Sequence, residues 1–417
     1  MENFSEVAFK RSYESLEGIE SSDLMSLISI KTLQAITLEG VKKSLESGAK
    51  LNVKFGTDPT GPDLHLGHIV PIRILDIFRR AGHNIDLIFG DFTAKIGDPT
   101  DRASDRSALT DQQITKNMNT FRDQVDKYFN TRVDNVRVHQ NSSWLGKMTL
   151  AEIFEYLQAI NLTEATQRND FRERMKNGRA VSLAETIYGT LMGIDSVHLN
   201  TNVEIGGVDQ LLNFQQTRKV QSMKGQEAEN IIMTPIIEGT SGDGKKMSKS
   251  YNNYIPVRAD AEEIFGKIMS IPDNLIIPYI RAFAPVYELD LPSIEGMLIK
   301  NPLELKKQLA MYMASISTSK SDSGREEREK FERKFAQKEV DVENAKRIEV
   351  VSGTNLVEAL ASSGDFKSKG EIRRLAEGKA IRIDKIQISV DDLMNRAISE
   401  EVIVTVGKRK VYKIVLK

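Results

Sequence analysis

Two histidines, His65 and His68, stand three residues apart in the segment DLHLGH at 63–68. On a helical turn that spacing puts both imidazoles on the same side. Gly67 lies between them, and because it has no Cβ a flat ring can approach the backbone there closely. At the start of a helix, the two imidazoles could donate hydrogen bonds to a phosphate held at the positive helix end. The alternative is a pair of ordinary histidines on a solvated helix start.

A second candidate lies about 180 residues further along the chain, where Lys246 and Lys249 occupy the glycine- and lysine-rich segment SGDGKKMSKS at 241–250. This composition predicts a mobile loop. Ammonium groups on a loop suit a polyphosphate whose negative charge grows as a bond breaks, and a loop can close for the reaction and open for release. Alone, the segment could be a solvated turn. Together with the histidine pair, it indicates a nucleoside triphosphate with pyrophosphate as the leaving group.

The elements that must position the histidines can be predicted from the surrounding pattern. An apolar run at 51–55 predicts a strand, apolar residues at helical spacing over 67–80 predict a helix that stops at Gly82, and 85–89 predicts a second strand. A strand, a helix and a strand with short links form a βαβ unit. The predicted fold class is therefore α/β, a Rossmann-like doubly wound parallel sheet, which binds ligands where strands give way to helices.

Changes in composition divide the rest of the chain. We predict a catalytic domain with an N-terminal helical extension at 1–235, the lysine-rich loop and a helical domain at 236–320, a charged helical linker at 321–354, and a small α+β domain at 355–417. The last segment carries a net charge of +4 and the remainder −5. A basic tail on an acidic body is typical of nucleic-acid binding, although a solvated basic surface explains the charge equally well.

Composition excludes several classes of site. The chain has no cysteine, so disulfide frameworks, thiol nucleophiles and cysteine-ligated zinc are ruled out. Its five histidines suggest no metal cluster. No apolar run is long enough to span a bilayer, and residues 1–10 do not resemble a secretory signal. We therefore expect a cytoplasmic protein without a resident metal.

A capping box at Ser182 predicts a helix that runs to about Asp195. On it, Tyr188, Met192 and Asp195 are spaced i, i+4 and i+7 and so share one face. A carboxylate on that otherwise apolar face is costly to bury unless something donates a hydrogen bond to it. Two interpretations of Asp195 fit this pattern: it binds a hydroxyl such as a phenol, or it simply ends the helix.

Taken together, these segments resemble a known family. The segments 65–68 and 246–250 are similar to the two signatures of class I aminoacyl-tRNA synthetases. Four further segments resemble bacterial tyrosyl-tRNA synthetases in particular: FGTDPT at 55–60, IGDP at 96–99, NSSW at 141–144 and GGVDQ at 206–210. The resemblance covers nearly the whole chain, and the last ~60 residues are similar to the small RNA-binding domain that ends those enzymes.

The resemblance implies roles for individual residues. Those implied to act on the ATP phosphates during adenylation and on the departing pyrophosphate are His65, His68, Thr60, Lys246, Lys249, Arg102 and Arg106. Those implied to bind ATP are Gly56, Asp58, Gly67, Gly207, Asp209 and Lys249. Those implied to bind the amino acid are Lys54, Thr93, Asp98, Asn141, Tyr188, Met192, Asp195 and Gln210, with Asp195 accepting a hydrogen bond from the phenol.

Two of these positions depart from the family pattern. Met192 stands where the family has a glutamine that bonds the substrate ammonium group, and a thioether is only a weak acceptor. Lys54 stands where many members have a tyrosine that contacts the phenol, although one branch of the family also has lysine. Either a neighbouring residue supplies the missing contact, or tyrosine binds more weakly, or the chain activates a different amino acid.

The resemblance implies a two-step ligase that activates tyrosine with ATP and transfers it to the 3′ end of tRNA(Tyr), with Mg²⁺ entering together with ATP. It also implies a homodimer. Three alternatives remain: a nucleotidyltransferase acting on a small metabolite, a paralogue that activates a tyrosine analogue for a biosynthetic pathway, and a catalytically silent RNA-binding protein. The intact histidine and lysine pairs weigh against the last.

Overall fold

The fold comes from a computed structural model that describes residues 3–99, 109–339, 345–366, 368–378, 380–384, 386–407 and 410–417, with the main chain alone at 334–339. Two units emerge, Met1–Arg328 and Glu329–Lys417. The strands of the first unit are β1 (Gln34–Ile36), β2 (Asn52–Thr57), β3 (Asn84–Phe89), β4 (Val136–Gln140), β5 (Val203–Gly207) and β6 (Asn230–Thr234).

The described helices of the first unit surround and extend its sheet. The N-terminal half contains α1 (Phe4–Tyr13), α2 (Ser21–Ser29), α3 (Leu38–Glu46), α4 (Leu66–Arg80), α5 (Asp111–Asp126), α6 (Ser142–Leu145), α7 (Leu150–Leu157), α8 (Leu162–Ala165) and α9 (Asn169–Lys176). The C-terminal half contains α10 (Leu183–Thr186), α11 (Tyr188–Leu199), α12 (Leu211–Met223), α13 (Ala261–Ser270), α14 (Ile276–Phe283), α15 (Leu291–Lys300) and α16 (Pro302–Thr318). The unit boundary falls within α17 (Ser323–Glu339).

The sheet has the strand order β1-β6-β5-β2-β3-β4, and every neighbouring pair is parallel except β1 with β6. Strand order reverses between β2 and β5, so a crevice is expected outside their carboxyl ends. The predicted βαβ unit is confirmed by β2, α4 and β3. Residues on α4 are buried along nearly its whole length, and Gly82 (φ +85°) follows its end.

One predicted helix is divided in two. The capping box at Ser182 is present, but the helix it starts ends at Thr186, because Ile187 has φ −98° and ψ 0°. A second helix, α11, continues to Leu199. Tyr188, Met192 and Asp195 therefore still lie on one helix, and Asp195 does not end it.

The second unit has its own sheet and core. It contains β7 (Lys346–Val350), α18 (Leu356–Ser362), α19 (Lys369–Glu377), β8 (Ile381–Ile383), β9 (Ile386–Gln387), α20 (Val390–Asn395), β10 (Val402–Val406) and β11 (Lys410–Leu416). The strand order is β7-β11-β10-β8-β9, with β7 parallel to β11 and the other pairs antiparallel. Residues 346–350 fall in the predicted helical linker but form a strand, because Ile348 and Val350 alternate into the core of this unit.

Candidate active site

The histidine pair lies where β2 gives way to α4. His65 is the residue before α4, and its main-chain N–H donates to Nδ1 of His68 at 3.2 Å. The two ring centroids are 3.9 Å apart. His68 Nδ1 also lies 3.2 Å from the His65 carbonyl oxygen, so both main-chain polar groups of His65 face the His68 ring.

Gly67 is required for this arrangement. A Cβ at this position would lie 2.9 Å from both Cε1 and Nδ1 of His65 and 3.9 Å from Cβ of Met247. The first two distances are shorter than real Cβ contacts, so any side chain at residue 67 would displace the His65 ring. The glycine thus keeps the ring against the backbone of α4.

The segment that follows the lysine-rich loop pairs with the histidine segment, and Met247 of the loop itself lies beside Gly67. Leu66 N–H donates to the carbonyl of Ile255 at 3.0 Å, and Val257 N–H donates to the carbonyl of Leu64 at 2.9 Å. Met247 is buried in the middle of the loop signature, whereas Lys246 and Lys249 on either side are exposed. The loop is therefore anchored by its methionine, and both lysines remain accessible to solvent.

Charge and burial together keep His65 neutral. Its partial burial lowers the pKa of the imidazole far below the ordinary value, and the positive charges of His68, Lys249 and Lys246 lower it further. These electrostatic effects also show that the four predicted phosphate-binding side chains share one neighbourhood. Lys249 Nζ lies close to Gly61, 3.5 Å from where a Cβ of that residue would be, so the loop lysine reaches the turn after β2.

A second polar cluster surrounds Asp195. This buried carboxylate accepts from Trp144 Nε1 at 2.7 Å and from Asn141 Nδ2 at 3.3 Å. Burial raises the pKa of Asp195 to about 6, although the positive charge of Lys54 and the two donors oppose the rise. The carboxylate is thus held rigidly, as an acceptor for a ligand hydroxyl needs to be.

The same cluster continues to Asp58. Asn141 Nδ2 donates to Thr93 Oγ1 at 3.1 Å, and Thr93 Oγ1 donates to Asp58 Oδ1 at 2.7 Å. Tyr188 OH donates to the other oxygen of Asp58 at 2.9 Å. Asp58 was expected on the ATP side, but its carboxyl lies among the residues expected to bind the amino acid. Burial, assisted by the negative charges of Asp98 and Asp195, raises the pKa of Asp58 to about 7, although the hydrogen bonds from Thr93 and Tyr188 oppose the rise.

Gln210 and Asp98 form a third part of the site. Gln210 follows β5 in a short turn, and its Nε2 donates to Asp98 Oδ2 at 2.5 Å. Both were predicted to orient the amino acid, and the structure brings them into direct contact although 112 residues separate them.

Lys54 lies in a buried ionic cluster. Its Nζ lies 2.9 Å from Glu204 Oε1, donates to the Met192 carbonyl at 3.2 Å, and also bonds the hydroxyl of Ser196. Burial alone would lower the pKa of Lys54, but the carboxylates of Glu204, Glu229 and Asp195 raise it above its ordinary value. Lys54 therefore ties β2 to α11, the helix that carries Asp195.

Met192 packs against an apolar cluster rather than a polar one. This cluster contains Phe214, Ile231 and Met233, and Met192 contacts it together with Ile36, Val208 and Leu211. The thioether side chain is consequently accommodated by packing, while Tyr188, one turn earlier on the same helix, donates its hydroxyl hydrogen to Asp58.

The remaining predicted residues are distributed as follows. Gly56 and Gly207 lie at the carboxyl ends of β2 and β5, and Asp209 is exposed on the turn after β5. Thr60 is exposed, and its N–H donates to the carbonyl of Asp58 at 2.8 Å. Arg102 and Arg106 lie outside the described residues.

In the parts of the chain that the structure describes, no group of three or more His, Asp or Glu residues is placed to hold a metal ion.

Some residues that shape the site were not predicted from the sequence. Asn253 is buried and clamps the loop, because its Oδ1 accepts from Ser248 N–H at 2.8 Å and its Nδ2 donates to the Lys246 carbonyl at 3.2 Å. Gly90 ends β3 next to the Asp58–Thr93 hydrogen bond. Trp144 belongs to the NSSW segment at 141–144, but nothing in the sequence predicted its hydrogen bond to Asp195.

No helix among the residues described here combines the length and the apolar character that crossing a bilayer requires.

Comparison with known proteins identifies the family of this chain. The family model described as tRNA synthetases class I (W and Y) matches residues 46–348. A tyrosine–tRNA ligase from Thermotoga maritima is 36% identical over 394 residues, which cover 94% of this chain and 96% of that protein. A tyrosine–tRNA ligase from Aquifex aeolicus is 36% identical over 393 residues, covering 94% of this chain and 98% of that protein.

Solved structures show the same fold at lower identity. A C-terminally truncated mitochondrial tyrosyl-tRNA synthetase from Aspergillus nidulans has a TM-score of 0.62 and 20% identity, covering 80% of this chain and 100% of its own. A tyrosyl-tRNA synthetase from Archaeoglobus fulgidus, solved in complex with L-tyrosine, has a TM-score of 0.57 and 20% identity, covering 74% and 100%. With its sheet, its paired histidines and its lysine loop in the expected places, the chain belongs to the class I tRNA synthetases of the tryptophan and tyrosine group, and within that group to the tyrosine–tRNA ligases.

Proposed function

We propose that this chain joins tyrosine to tRNA in two steps. In the first, a carboxylate oxygen of tyrosine attacks the α-phosphorus of ATP, the bond from that phosphorus to the bridging oxygen breaks, and pyrophosphate leaves with the electron pair. In the second, a hydroxyl of the terminal adenosine of tRNA attacks the carbonyl carbon, and AMP leaves. The observation that carries this proposal is that the lysine loop, through Met247, lies beside Gly67 between the two histidines, while a separate polar cluster is built around Asp195.

The first cluster suits the triphosphate. His65 is neutral because of its burial and its positive neighbours, so it would contribute hydrogen bonding rather than charge. Lys246 and Lys249 would supply the positive charge that meets the departing pyrophosphate. Mg²⁺ would enter as part of the ATP substrate.

The second cluster suits tyrosine. Asp195, fixed by Trp144 and Asn141, would accept the phenolic hydrogen. Asp98 and Asp58 would face the ammonium group of tyrosine. The hydroxyl oxygen of Tyr188 would accept from the same group, because its own hydrogen is donated to Asp58. Three such partners can replace the glutamine that Met192 displaces.

Pyrophosphate exchange across a panel of amino acids tests the first step. We expect exchange with tyrosine and none with the other standard amino acids. Exchange with a tyrosine analogue alone would favour the paralogue hypothesis, and no exchange with any amino acid would refute the enzyme assignment. Charging of tRNA(Tyr) transcripts then tests the second step.

The second unit would bind the tRNA. Its final segment is basic, and the described residues form an independent core, so phosphate contacts would dominate its affinity. We expect tRNA binding to weaken steeply between low and moderate salt, with tyrosine activation much less affected. Equal salt dependence of the two activities would argue against this role. A reaction that consumes ATP and tRNA also favours a cytoplasmic location.

Exposed apolar side chains support a homodimer. The region from α7 to α10 exposes Leu150 (66%), Phe154 (55%), Leu162 (64%) and Leu183 (79%), and α7 buries none of its residues. Leu150 and Phe154 are one turn apart on α7, and exposed apolar side chains that adjoin in this way indicate a protein contact. Light scattering of the wild type and of a Phe154→Lys variant tests this: a dimer that the substitution dissociates is expected, and a monomeric wild type would contradict it.

A further inference from the structure

A chain of hydrogen bonds links a buried arginine outside the site to Asp98 inside it. Arg168 Nη1 donates to Asn213 Oδ1 at 3.2 Å, and Asn213 Nδ2 donates to Gln210 Oε1 at 2.7 Å. Gln210 Nε2 then donates to Asp98 Oδ2 at 2.5 Å. Arg168 precedes α9, and Asn213 lies in the first turn of α12, so the chain connects the helices inserted after β4 to the turn after β5.

The two ends of this chain fix its direction. A guanidinium can only donate hydrogen bonds, so the atom of Asn213 that faces it must be the oxygen. The amide nitrogen of Asn213 is thereby turned to Gln210, and that nitrogen requires the oxygen of Gln210. At the other end, a carboxylate can only accept, so Gln210 must present its nitrogen to Asp98. Each end independently demands the same orientation of both amides.

The alternative orientation of Gln210 would harm the site. If its carboxamide turned over, Oε1 would face the carboxylate of Asp98, and two acceptors would oppose each other. The same turn would also replace an N–H donor by an acceptor at the place where a substrate carboxylate is expected to bind. A group that prevents the turn therefore contributes to amino-acid recognition without touching the amino acid.

The burial of the chain makes this control effective. Asn213 is 2% exposed and the Arg168 side chain 8% exposed, so water competes little for their hydrogen bonds. Arg168 is itself held by Asp170 at 3.1 Å and by the face of the buried Phe171 ring, 5.3 Å from its guanidinium carbon. The guanidinium therefore sits as a fixed donor.

We propose that Arg168 and Asn213 are positioning residues for the amino-acid subsite, which set the end of the Gln210 carboxamide that faces Asp98 and the substrate. This inference rests on the proposed function, since it concerns the binding of tyrosine before adenylation.

Steady-state pyrophosphate exchange on the full chain tests it, with the KM for tyrosine and the KM for ATP measured separately. Two variants remove the directing contact. Arg168→Gln introduces a side chain that can accept as well as donate, and Asn213→Asp still accepts from Arg168 but cannot donate to Gln210. Each should raise the KM for tyrosine at least about tenfold, while the KM for ATP stays within about twofold of the wild type.

Two further variants serve as controls. Arg168→Lys remains a donor only and should keep the KM for tyrosine within about threefold of the wild type. Arg174→Gln is the matched control, because Arg174 lies on α9, packs on the same Phe171 ring at 5.9 Å and pairs with Glu185 at 2.8 Å. It should leave the KM for tyrosine unchanged.

The inference is overturned if Arg168→Gln and Asn213→Asp both leave the KM for tyrosine within about twofold of the wild type. It is equally overturned if the KM for ATP rises in parallel, or if Arg174→Gln has the same effect, because a general loss of structure then explains the result. A wild type that shows no exchange with tyrosine refutes the proposed function, and this inference with it. An active wild type with unaffected variants refutes the inference alone.

Discussion

Replacing Asp195 by asparagine should weaken tyrosine binding strongly while changing the free energy of unfolding little at neutral pH. The carboxylate accepts from Trp144 and Asn141, and an asparagine has one acceptor oxygen to offer two donors. Asn141 cannot turn over to compensate, because its own oxygen accepts from the Phe92 N–H at 3.0 Å. One buried donor is left without an acceptor, which costs about 1–3 kcal/mol of stability.

The substitution also removes the destabilisation that the wild type suffers from burying an ionised carboxylate at residue 195. The pKa of Asp195 is about 6 in the folded protein against an ordinary 3.8, so the folded state binds its proton more tightly than the unfolded state does. Wild-type stability from this group is complete below pH ~4 and is lost as the pH rises through about 6, by about 3 kcal/mol in all. Above pH 7, the variant no longer has the free-energy penalty of the buried charge, and this gain offsets the loss from the donor left without an acceptor.

Chemical denaturation at pH 8 and at pH 4.5, together with pyrophosphate exchange at pH 8, measures both effects. At pH 8 we expect the two proteins to differ by less than about 2 kcal/mol, and at pH 4.5 we expect the wild type to be the more stable. Loss of a charged acceptor for the phenol should raise the KM for tyrosine about tenfold or more, with the KM for ATP unchanged. An unchanged KM for tyrosine would refute the assignment of Asp195 to the phenol, and a variant that is relatively less stable at pH 8 than at pH 4.5 would refute the sign of its pKa shift.

Three further substitutions test other parts of the site and its support. Because the pKa of Asp58 is raised, wild-type stability should fall as the pH rises from about 4 to about 7. The unfolding temperature of Asp58→Asn should therefore depend less on pH across this range, and parallel curves for the two proteins would contradict the prediction. A Cβ on Gly90 would lie 2.1 Å from Asp58 Oδ1 and 2.2 Å from Thr93 Oγ1. Gly90→Ala should therefore separate Asp58 from Thr93 and raise the KM for tyrosine in exchange assays, and an unchanged KM would disprove this. A Cβ on Gly193 would lie 2.7 Å from Cβ of Val220, a stiff β-branched side chain, so Gly193→Ala should lower stability by about 1–3 kcal/mol in urea titrations. The matched Gly189→Ala meets only the flexible end of a glutamine side chain below 3 Å and should cost less, and the reverse order would count against the packing of α11 on α12.

The parts of the fold that depend on local pattern were predictable. Strand 51–55, helix 67–80 and strand 85–89 correspond to Asn52–Thr57, Leu66–Arg80 and Asn84–Phe89. Each is a single element with an apolar periodicity, and glycines mark its limits. The approach of Lys246 and Lys249 to His65 was also expected, because a shared triphosphate was the interpretation that joined the two motifs.

Contacts between distant parts of the chain were not predictable in the same way. The position of Asp58 among the amino-acid residues depends on how close β3 approaches β2 at Gly90, and spacing along the chain does not encode that distance. The division of the helix at Ile187 depends on backbone angles that tertiary packing imposes. The link from Arg168 to Gln210 passes through Asn213 of α12, which lies 45 residues after Arg168 in the chain.

Lys54 shows how one substitution in a family pattern can leave a site intact. The resemblance places residue 54 against the phenol, yet the ammonium group bonds Glu204, Ser196 and the carbonyl of Met192. These last two belong to α11, on either side of Asp195, so Lys54 fixes the segment that carries the phenol acceptor. Its positive charge also opposes the rise in the Asp195 pKa that burial causes. A lysine can therefore support the phenol subsite by holding α11 in place and by its charge, without contacting the phenol. The absence of a tyrosine at residue 54 does not by itself imply that the chain activates a different amino acid.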